Sequence, residues 1–246
     1  METELAALLD GANARFHTLF LDALVETDGA LLGRALERSI PDFEQGVAEG
    51  WAVRMSAVAD GRNAGGVFRH GWRVWWRKPH DWRDDIVWEG GATAVSIVRA
   101  TSASSFVSSQ RTLYTNAAPP GATARPGAWQ LPTLASQLSM IPLLEPSAFA
   151  SGWEIGAPRV ATFGGRAVLA STARWPGGGV APGPWQGVDR YDLLVDVERG
   201  VLLRCAGIVD GVEAGVFTAR AVVFDEPVGE EVFAWRPSEG TRIVAV

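Results

Sequence analysis

The stretch that decides the fold is Arg190-Tyr191-Asp192-Leu193-Leu194-Val195-Asp196-Val197, near the carboxyl end of the 246-residue chain. Apolar and charged residues alternate along it, so that Tyr191, Leu193, Val195 and Val197 point one way and Arg190, Asp192 and Asp196 the other. A two-residue period is typical of a β-strand that buries one face. The most regular part of the sequence therefore begins with a strand.

Two more strands follow, and turn sequences separate them. Val201 to Val209 is rich in β-favouring residues, and the Asp210-Gly211 pair after it suits the positive φ angles of a tight hairpin. A third strand is predicted from Gly215 to Phe224, and Asp225-Glu226-Pro227 ends it because Pro cannot donate to a ladder. With a last short strand at Ile243 to Val246, the pattern predicts an antiparallel meander.

This order of strands and turns resembles the C-terminal half of the LolA-like family, the periplasmic lipoprotein carriers with their actinobacterial and sigma-regulator (RseB-type) relatives. The matching pieces are Leu194-Val195-Asp196, Leu202-Leu203-Arg204, the Asp-Gly hairpin, and a Phe-x-x-x-Pro-x-x-Gly element at Phe233, Pro237 and Gly240. They cover about a quarter of the chain. The resemblance, to an actinobacterial-type member, implies an α+β fold. In that fold a strongly curved antiparallel sheet forms an unclosed barrel, and an N-terminal helix and short helices cover its concave face.

Along the chain, this fold is expected as a single domain. Residues 1–40 form the helical segment and 51–246 the sheet, with a helical lid inserted at about 126–151. Apolar residues at three- and four-residue steps predict a helix from Thr3 to Val25, and a second from Asp28 to Arg38. Further strands are predicted at Trp51 to Val58, Val67 to Lys78, Trp82 to Glu89, Thr93 to Arg99, Ser105 to Thr115, Trp153 to Ile155 and Arg166 to Trp175. The Gly- and Pro-rich stretch from Pro176 to Gly187 is expected to be a surface loop.

Composition and charge argue against several classes of function. A formal net charge of −6 disfavours nucleic-acid binding, which needs a clustered excess of Lys and Arg. The single cysteine, Cys205, leaves no intrachain disulfide framework and is expected to be a small buried apolar residue. The three histidines, His17, His70 and His80, are not spaced as metal ligands. Neither a metal nor a cofactor is predicted.

The amino terminus bears on location. Met1-Glu2-Thr3-Glu4 is acidic where a signal peptide needs a basic start, and Asp10, Asn13 and Arg15 interrupt the apolar stretch. No stretch reaches the roughly 18 apolar residues of a membrane span. A cytoplasmic protein is expected from the sequence as written, although members of the LolA-like family are mostly exported.

Tryptophan is the most unusual feature of the composition, with eleven residues, six of them between Trp51 and Trp88. Core packing explains such rings. In a second interpretation some of them line a cavity between sheet and helices that suits an acyl chain, because ligand pockets are mostly apolar. The alternation of the strands selects the candidate lining residues Trp72, Val74, Trp76, Trp82, Ile86, Trp88 and Phe106, with Leu138, Ile141 and Leu144 as the candidate lid.

The resemblance implies a non-enzymatic function, the binding of an acyl chain, a lipid or a lipidated partner. In the family a strand that ends in a basic residue plus Pro meets the helical lid, and Lys78-Pro79 matches this position. The usual residue is Arg, and Lys cannot fork to two carbonyls in the same way. Lys78 is therefore the candidate lid contact.

Two other classes of function remain open. A protein-interaction or regulatory module without a small-molecule ligand would present Trp75, between Arg73 and Arg77, as a hot spot. An enzyme would need a polar cluster inside the cleft, for which His70, Asp84 and Tyr114 are the candidates. The neighbouring carboxylates Asp84 and Asp85 point to opposite faces of a strand, and solvated turns are the expected explanation of the pair.

Overall fold

The structure is a computed structural model that describes residues 2–39, 66–79, 81–117, 141–147, 152–177 and 183–245. The α-helices in these ranges are α1 (Glu2–Asp10), α2 (Gly29–Ser39), α3 (Ile141–Leu144) and α4 (Glu230–Phe233). The strands are β1 (Thr18–Asp28), β2 (Val67–Arg77), β3 (Asp81–Trp88), β4 (Thr93–Arg99), β5 (Ser102–Val107), β6 (Thr112–Ala117), β7 (Glu154–Ile155), β8 (Arg159–Phe163), β9 (Arg166–Arg174), β10 (Arg190–Asp196), β11 (Leu202–Val209), β12 (Val212–Phe224) and β13 (Arg242–Ala245).

All thirteen strands belong to one sheet. Its order is β13-β6-β5-β4-β3-β2-β1-β12-β11-β10-β9-β7, and β8 pairs with β9 outside this path. The two end strands, β13 and β7, do not pair with each other. Strand β13 runs parallel to β6. Within the set β2 to β6, and within the set β7 to β12, neighbouring strands pair antiparallel. The predicted fold class, α+β with a large, unclosed, curved antiparallel sheet, is confirmed. The covering of a concave face by helices stays a prediction.

The chain divides into two compact units. The first comprises Met1–Asn13, Val25–Arg69 and Pro142–Thr218, and the second Ala14–Leu24, His70–Ile141 and Ala219–Val246. The expectation of a single domain stays a prediction. Within the described ranges, no helix is long and apolar enough to cross a membrane.

The first unit contains the most regular elements. Tyr191, Leu193 and Val195 are buried along β10, as their alternation predicts. Asp28 begins α2 as a side-chain cap, because its Oδ1 accepts a hydrogen bond of 2.9 Å from the backbone N–H of Leu31. The helix predicted at Asp28 to Arg38 is therefore confirmed, within one residue at each end.

The long N-terminal helix predicted from Thr3 to Val25 is wrong beyond Asp10. Helix α1 ends there, and the chain continues as β1, in which Leu19, Leu21, Ala23 and Val25 are buried on one side. From Leu19 to Val25 every residue except Asp22 is apolar, so this run fits a helical period and a strand period equally well. This segment forms a strand and not a helix because it pairs with the neighbouring strands β2 and β12.

Other boundaries also differ from the prediction. The strand predicted from Ser105 to Thr115 is a hairpin, β5 and β6, because Arg111 adopts a positive φ of 47° between them. The stretch from Pro176 to Gly187 is not simply a surface loop, since Trp185 is only 4% exposed. The strand predicted at Trp51 to Val58 and most of the predicted lid lie outside the described residues.

Candidate functional site

The second unit carries a sheet face with three buried tryptophans, which we call the indole face. Strand register places Trp72 opposite Ile86, Val74 opposite Asp84, and Trp76 opposite Trp82 across β2 and β3. Residues directly opposite each other in an antiparallel pair project from the same face. Trp72, Trp76 and Trp82 are all buried, at 1%, 5% and 2% exposure. Five predicted lining residues, Trp72, Val74, Trp76, Trp82 and Ile86, therefore share one buried surface.

The neighbouring strands contribute much smaller side chains to this face. On β4 they are Ala94, Ser96 and Val98, and on β5 Ala103 and Ser105, all buried. We call these five residues the small-residue strip. A wall of large rings thus stands beside a strip where the side chains rise little above the backbone.

At one end of the wall the rings pack on each other. The ring of Trp76 lies 5.5 Å from that of Trp82 and 5.7 Å from that of Phe16, both near edge-to-face. The Lys78 Nζ is 3.3 Å from the centre of the Phe16 ring and 4.5 Å from that of Trp76, a cation–π arrangement. Lys78, the candidate lid contact, thus caps aromatic rings, and its contact with a lid stays a prediction.

A buried carboxyl group interrupts the apolar wall. Asp84 is 1% exposed, and its two oxygens accept hydrogen bonds from the indole N–H groups of Trp82 at 3.1 Å and Trp72 at 3.3 Å. Burial raises the pKa of Asp84 to about 7, and the indole hydrogen bonds oppose this shift without cancelling it. The expectation of a solvated turn for Asp84 is therefore wrong. Its place between Trp82 and Ile86 in the alternation of β3 was the signal for burial.

Asp84 begins a row of polar side chains that crosses the sheet. Register pairs Asp84 with Ser96, Ser96 with Ser105, and Ser105 with Tyr114, which places one residue on each of β3, β4, β5 and β6. The hydroxyl oxygens of Ser96 and Ser105 are 3.4 Å apart, and both residues are fully buried. We call these four residues the polar row. The row leads from the indole face to β6, the strand next to the edge strand β13.

The remaining predicted site residues are dispersed. Phe106 lies on the opposite face, paired with Val95 and 5.2 Å from the ring of Trp235, so the structure does not bring it together with the indoles. Trp88 shares the indole face by alternation, but it lies at the end of β3, half-buried and opposite His70. Leu144 is buried in the first unit, at the end of α3, which begins at Ile141. Leu138 lies outside the described residues.

The candidate catalytic residues do not meet. His70 pairs with Trp88, four residues along β3 from Asp84, a separation of about 14 Å at strand spacing. Tyr114 is three strands away from Asp84 on the polar row. Burial lowers the pKa of His70 to about 4, so it is neutral at physiological pH. In the part of the chain that the structure describes, no cluster of three His, Cys, Asp or Glu could hold a metal ion.

The opposite face of the second unit is covered by the C-terminal segment. Phe233 packs with Val95, Ile97 and Trp75. Arg77 binds Asp81 at 2.6 Å and also Glu230, while the Arg83 guanidinium donates to the carbonyl of Val232 at 2.8 Å. The predicted hot spot, Trp75, is thus half-buried beneath this segment and the Arg83 guanidinium.

The first unit holds an aromatic group that was not predicted from the sequence. Trp185 lies flat on the sheet over Gly207 and Gly215, which pair directly, and its indole N–H donates to Thr27 Oγ1 at 3.2 Å. The Tyr191 hydroxyl donates to the Trp185 carbonyl at 2.5 Å, and the Trp153 ring lies 5.2 Å from that of Tyr191. The two facing glycines were the available signal, because each removes a side chain that Trp185 would meet.

An open cleft lies at the edge of the second unit, with a volume of about 650 Å³. Its walls are Gln110, Arg111, Thr112, Tyr114, Gly240 and Arg242. Tyr114 also ends the polar row. This cleft could not be predicted from the sequence, since its two sides are more than a hundred residues apart in the chain.

Comparison with known proteins identifies the fold. No protein-family model matches the sequence, and no curated protein matches it. MucB superposes with a TM-score of 0.53 at 10% identity, over 99% of this chain and 65% of MucB, so the chain spans slightly less than two thirds of MucB. MucB in the MucA/MucB complex of Pseudomonas aeruginosa gives 0.50 at 12% identity, over 99% and 64%.

Two further structures align over nearly their whole length. An uncharacterized conserved protein from Thermus thermophilus gives a TM-score of 0.50 at 8% identity, over 98% of both chains. A LolA-superfamily protein from Nitrosomonas europaea gives only 0.28 at 7% identity, over 94% of this chain and 96% of that one. At these identities the likeness concerns the fold alone, which this chain shares with MucB and with the Thermus thermophilus protein.

Proposed function

We propose that this chain binds an apolar ligand, the acyl chain of a lipid or of a lipidated partner, on the indole face. It acts by binding and not by catalysis. The observation that carries this proposal is the contrast in side-chain size across one buried face. Large rings stand on β2 and β3, and only Ala, Ser and Val on β4 and β5. We infer a slot beside the rings from this contrast, and a slot of this form would suit an elongated apolar ligand, which packs sideways against flat rings.

The polar groups of the same face support binding with a defined orientation. A ligand pocket is mostly apolar with a few polar groups that fix the ligand. Asp84 and the two buried serines supply such groups in the middle of the face. The separation of His70 and Tyr114 from Asp84 favours a binding role over acid–base catalysis, which needs its groups within hydrogen-bond reach.

The proposal can be tested by filling the slot. Ala103→Phe places a ring over the small-residue strip, whereas Ser104→Phe adds the same ring to the opposite face. Both variants are checked for folding by circular dichroism and urea unfolding, then titrated with dodecanoate and a polarity-sensitive dye while tryptophan emission is recorded. We expect Ala103→Phe to weaken binding by about tenfold or more and Ser104→Phe to bind like the parent chain.

Equal binding by two folded variants would contradict the proposed slot, and so would the absence of saturable binding in the parent chain. Native mass spectrometry of freshly purified protein adds an independent readout, because a retained lipid appears as added mass.

A polypeptide partner is the second candidate. MucB, which shares the fold, is solved in complex with MucA, and this supports protein binding here, although MucB is the longer chain. The two candidates separate in a titration with one peptide in acylated and unmodified form. Tighter binding of the acylated peptide is expected, and equal affinities would favour a protein-interaction module. A cytoplasmic location and an actinobacterial-type origin stay predictions.

A further inference from the structure

The cleft at the edge of the second unit presents hydrogen-bond donors and positive charge. The Tyr114 hydroxyl donates to Gln110 Oε1 at 3.1 Å, so the free end of the Gln110 side chain is its N–H2 group. Arg111 and Arg242 add two guanidinium groups, and Asp and Glu are absent from the six lining residues. An anion is the ligand class that such a set of donors accepts.

Backbone contacts join the two sides of the cleft and position the Arg111 guanidinium. The backbone N–H of Arg242 donates to the carbonyl of Arg111 at 2.9 Å, which ties β13 to the start of β6. The Arg111 guanidinium donates to the carbonyl of Glu239 at 3.3 Å. A Cβ at position 240 would come within 2.9 Å of the Arg111 Nη2. Because Gly240 has no side chain, and its φ of +79° favours glycine, the guanidinium can occupy this position.

The charge of the cleft contrasts with the rest of the chain. The formal net charge is −6, and three other arginines of the same unit, Arg77, Arg83 and Arg99, each lie within 3 Å of a carboxylate oxygen. Within the residues that the structure describes, the Arg242 guanidinium has no ion pair, and its side chain is exposed. Both guanidinium groups line this cleft, and a bound anion would reduce the repulsion between their positive charges.

The cleft lies on the same sheet face as the proposed slot. Tyr114 is the last residue of the polar row, and Arg242 pairs with Thr112, two residues from Tyr114 on the same side of β6. At about 4.8 Å per strand, β6 is roughly 14 Å from β3 and 19 Å from β2. One leaflet of a bilayer core is about 15 Å thick, so an acyl chain spans the distance from the cleft to the indoles.

We infer that the ligand is an anionic amphiphile whose phosphate or carboxylate group binds Arg111, Arg242 and Gln110, with its acyl chain along the small-residue strip. This inference rests on the proposed function, since the slot for the chain is part of it. The head group is recognised by forked guanidinium hydrogen bonds, and the chain by the indole wall.

The test compares amphiphiles that differ only in the head group. Dodecyl phosphate, dodecanoate and uncharged dodecanol are titrated into the full chain by calorimetry and tryptophan fluorescence, with inorganic phosphate as a fourth probe. The variants are Arg242→Gln and Arg242→Lys, and the matched control is Arg236→Gln, an exposed arginine of the same unit outside the cleft.

We expect the two anionic amphiphiles to bind about tenfold tighter than dodecanol. Arg242→Gln should abolish this preference without changing dodecanol binding, Arg242→Lys should retain part of it, and Arg236→Gln should keep all of it. Equal binding of dodecyl phosphate and dodecanol would overturn the inference and leave the proposed function intact. If no dodecyl probe binds, both the proposed function and this inference are overturned. If inorganic phosphate alone binds, the cleft is a site for a free anion, and the inference of an anionic amphiphile is overturned as well.

Discussion

Replacing Asp84 by Asn should change how the stability of the chain depends on pH. Burial raises the pKa of this carboxyl from 3.8 to about 7 in the folded state. Between about pH 4 and pH 7 the folded chain therefore holds a proton that the unfolded chain has released. Because the folded state binds more protons in this window, the contribution of Asp84 to the free energy of unfolding falls as the pH rises through it.

The size of the effect follows from the two pKa values. From pH 5 to pH 8 the stabilisation lost through Asp84 amounts to roughly 2 to 3 kcal/mol, at 1.36 kcal/mol per pKa unit. Asn does not titrate, so the variant lacks this loss. His70 acts in the opposite sense, because burial lowers its pKa to about 4 and stability is lost as the pH falls below about 6.5. His70 is present in both proteins, so its effect cancels in their difference.

The measurement is urea unfolding of both proteins at pH 5, 6, 7 and 8, followed by far-ultraviolet circular dichroism. The free energy of unfolding of the parent chain should fall relative to that of Asp84→Asn as the pH rises. Glu89→Gln, which removes an exposed carboxylate in the turn after β3, should give a curve parallel to the parent. A difference between parent and Asp84→Asn that is constant with pH, or that changes in the other direction, would refute the reasoning about burial.

Two other substitutions test the packing of each unit. In the first unit, Gly215→Ala should destabilise by about 1 to 3 kcal/mol, because a Cβ would come within 2.3 Å of the Trp185 ring. The control is Gly33→Ala in α2, where a Cβ would meet nothing within 4 Å; it should stabilise the chain by up to about 1 kcal/mol. Equal effects of the two substitutions in urea unfolding would argue against the contact between Gly215 and the Trp185 ring. In the second unit, Phe233→Ala removes a buried ring that contacts Arg77 and should lose roughly 3 to 5 kcal/mol. Amide exchange over residues 226–240 should then quicken, and an unchanged exchange pattern would show that other contacts hold the segment.

The candidate site was predicted in part from sequence. The alternation of β2 and β3 selected Trp72, Trp76 and Trp82 as neighbours on one face, and register confirms that they share it. The same alternation placed Asp84 on that face, but the residue type favoured a solvated turn. Its burial depends on indole donors from Trp72, twelve residues away, and from Trp82, and that is a property of strand pairing.

Phe106 and the cleft illustrate what a local pattern cannot supply. Phe106 was grouped with the indoles, yet the register of β4 with β5 turns it to the opposite face, since a shift of one residue reverses every side chain. The cleft needs Arg242 beside Thr112, a parallel pairing across 130 residues of sequence. No periodicity within either segment contains that information.

The sequence by itself determined helix α2 and strands such as β4 and β10, because their periods and turn residues are local and unambiguous. The class of the fold was implied by the resemblance to the LolA-like family, and the sheet confirms that class. Tertiary structure alone decided that Leu19 to Val25 is a strand, that Asp84 is buried and that two distant arginines share a cleft. The physical reason is that a repeating pattern within one segment selects which side chains turn inward. Their partners, and hence the burial and charge around each group, depend on the register between segments far apart in the chain.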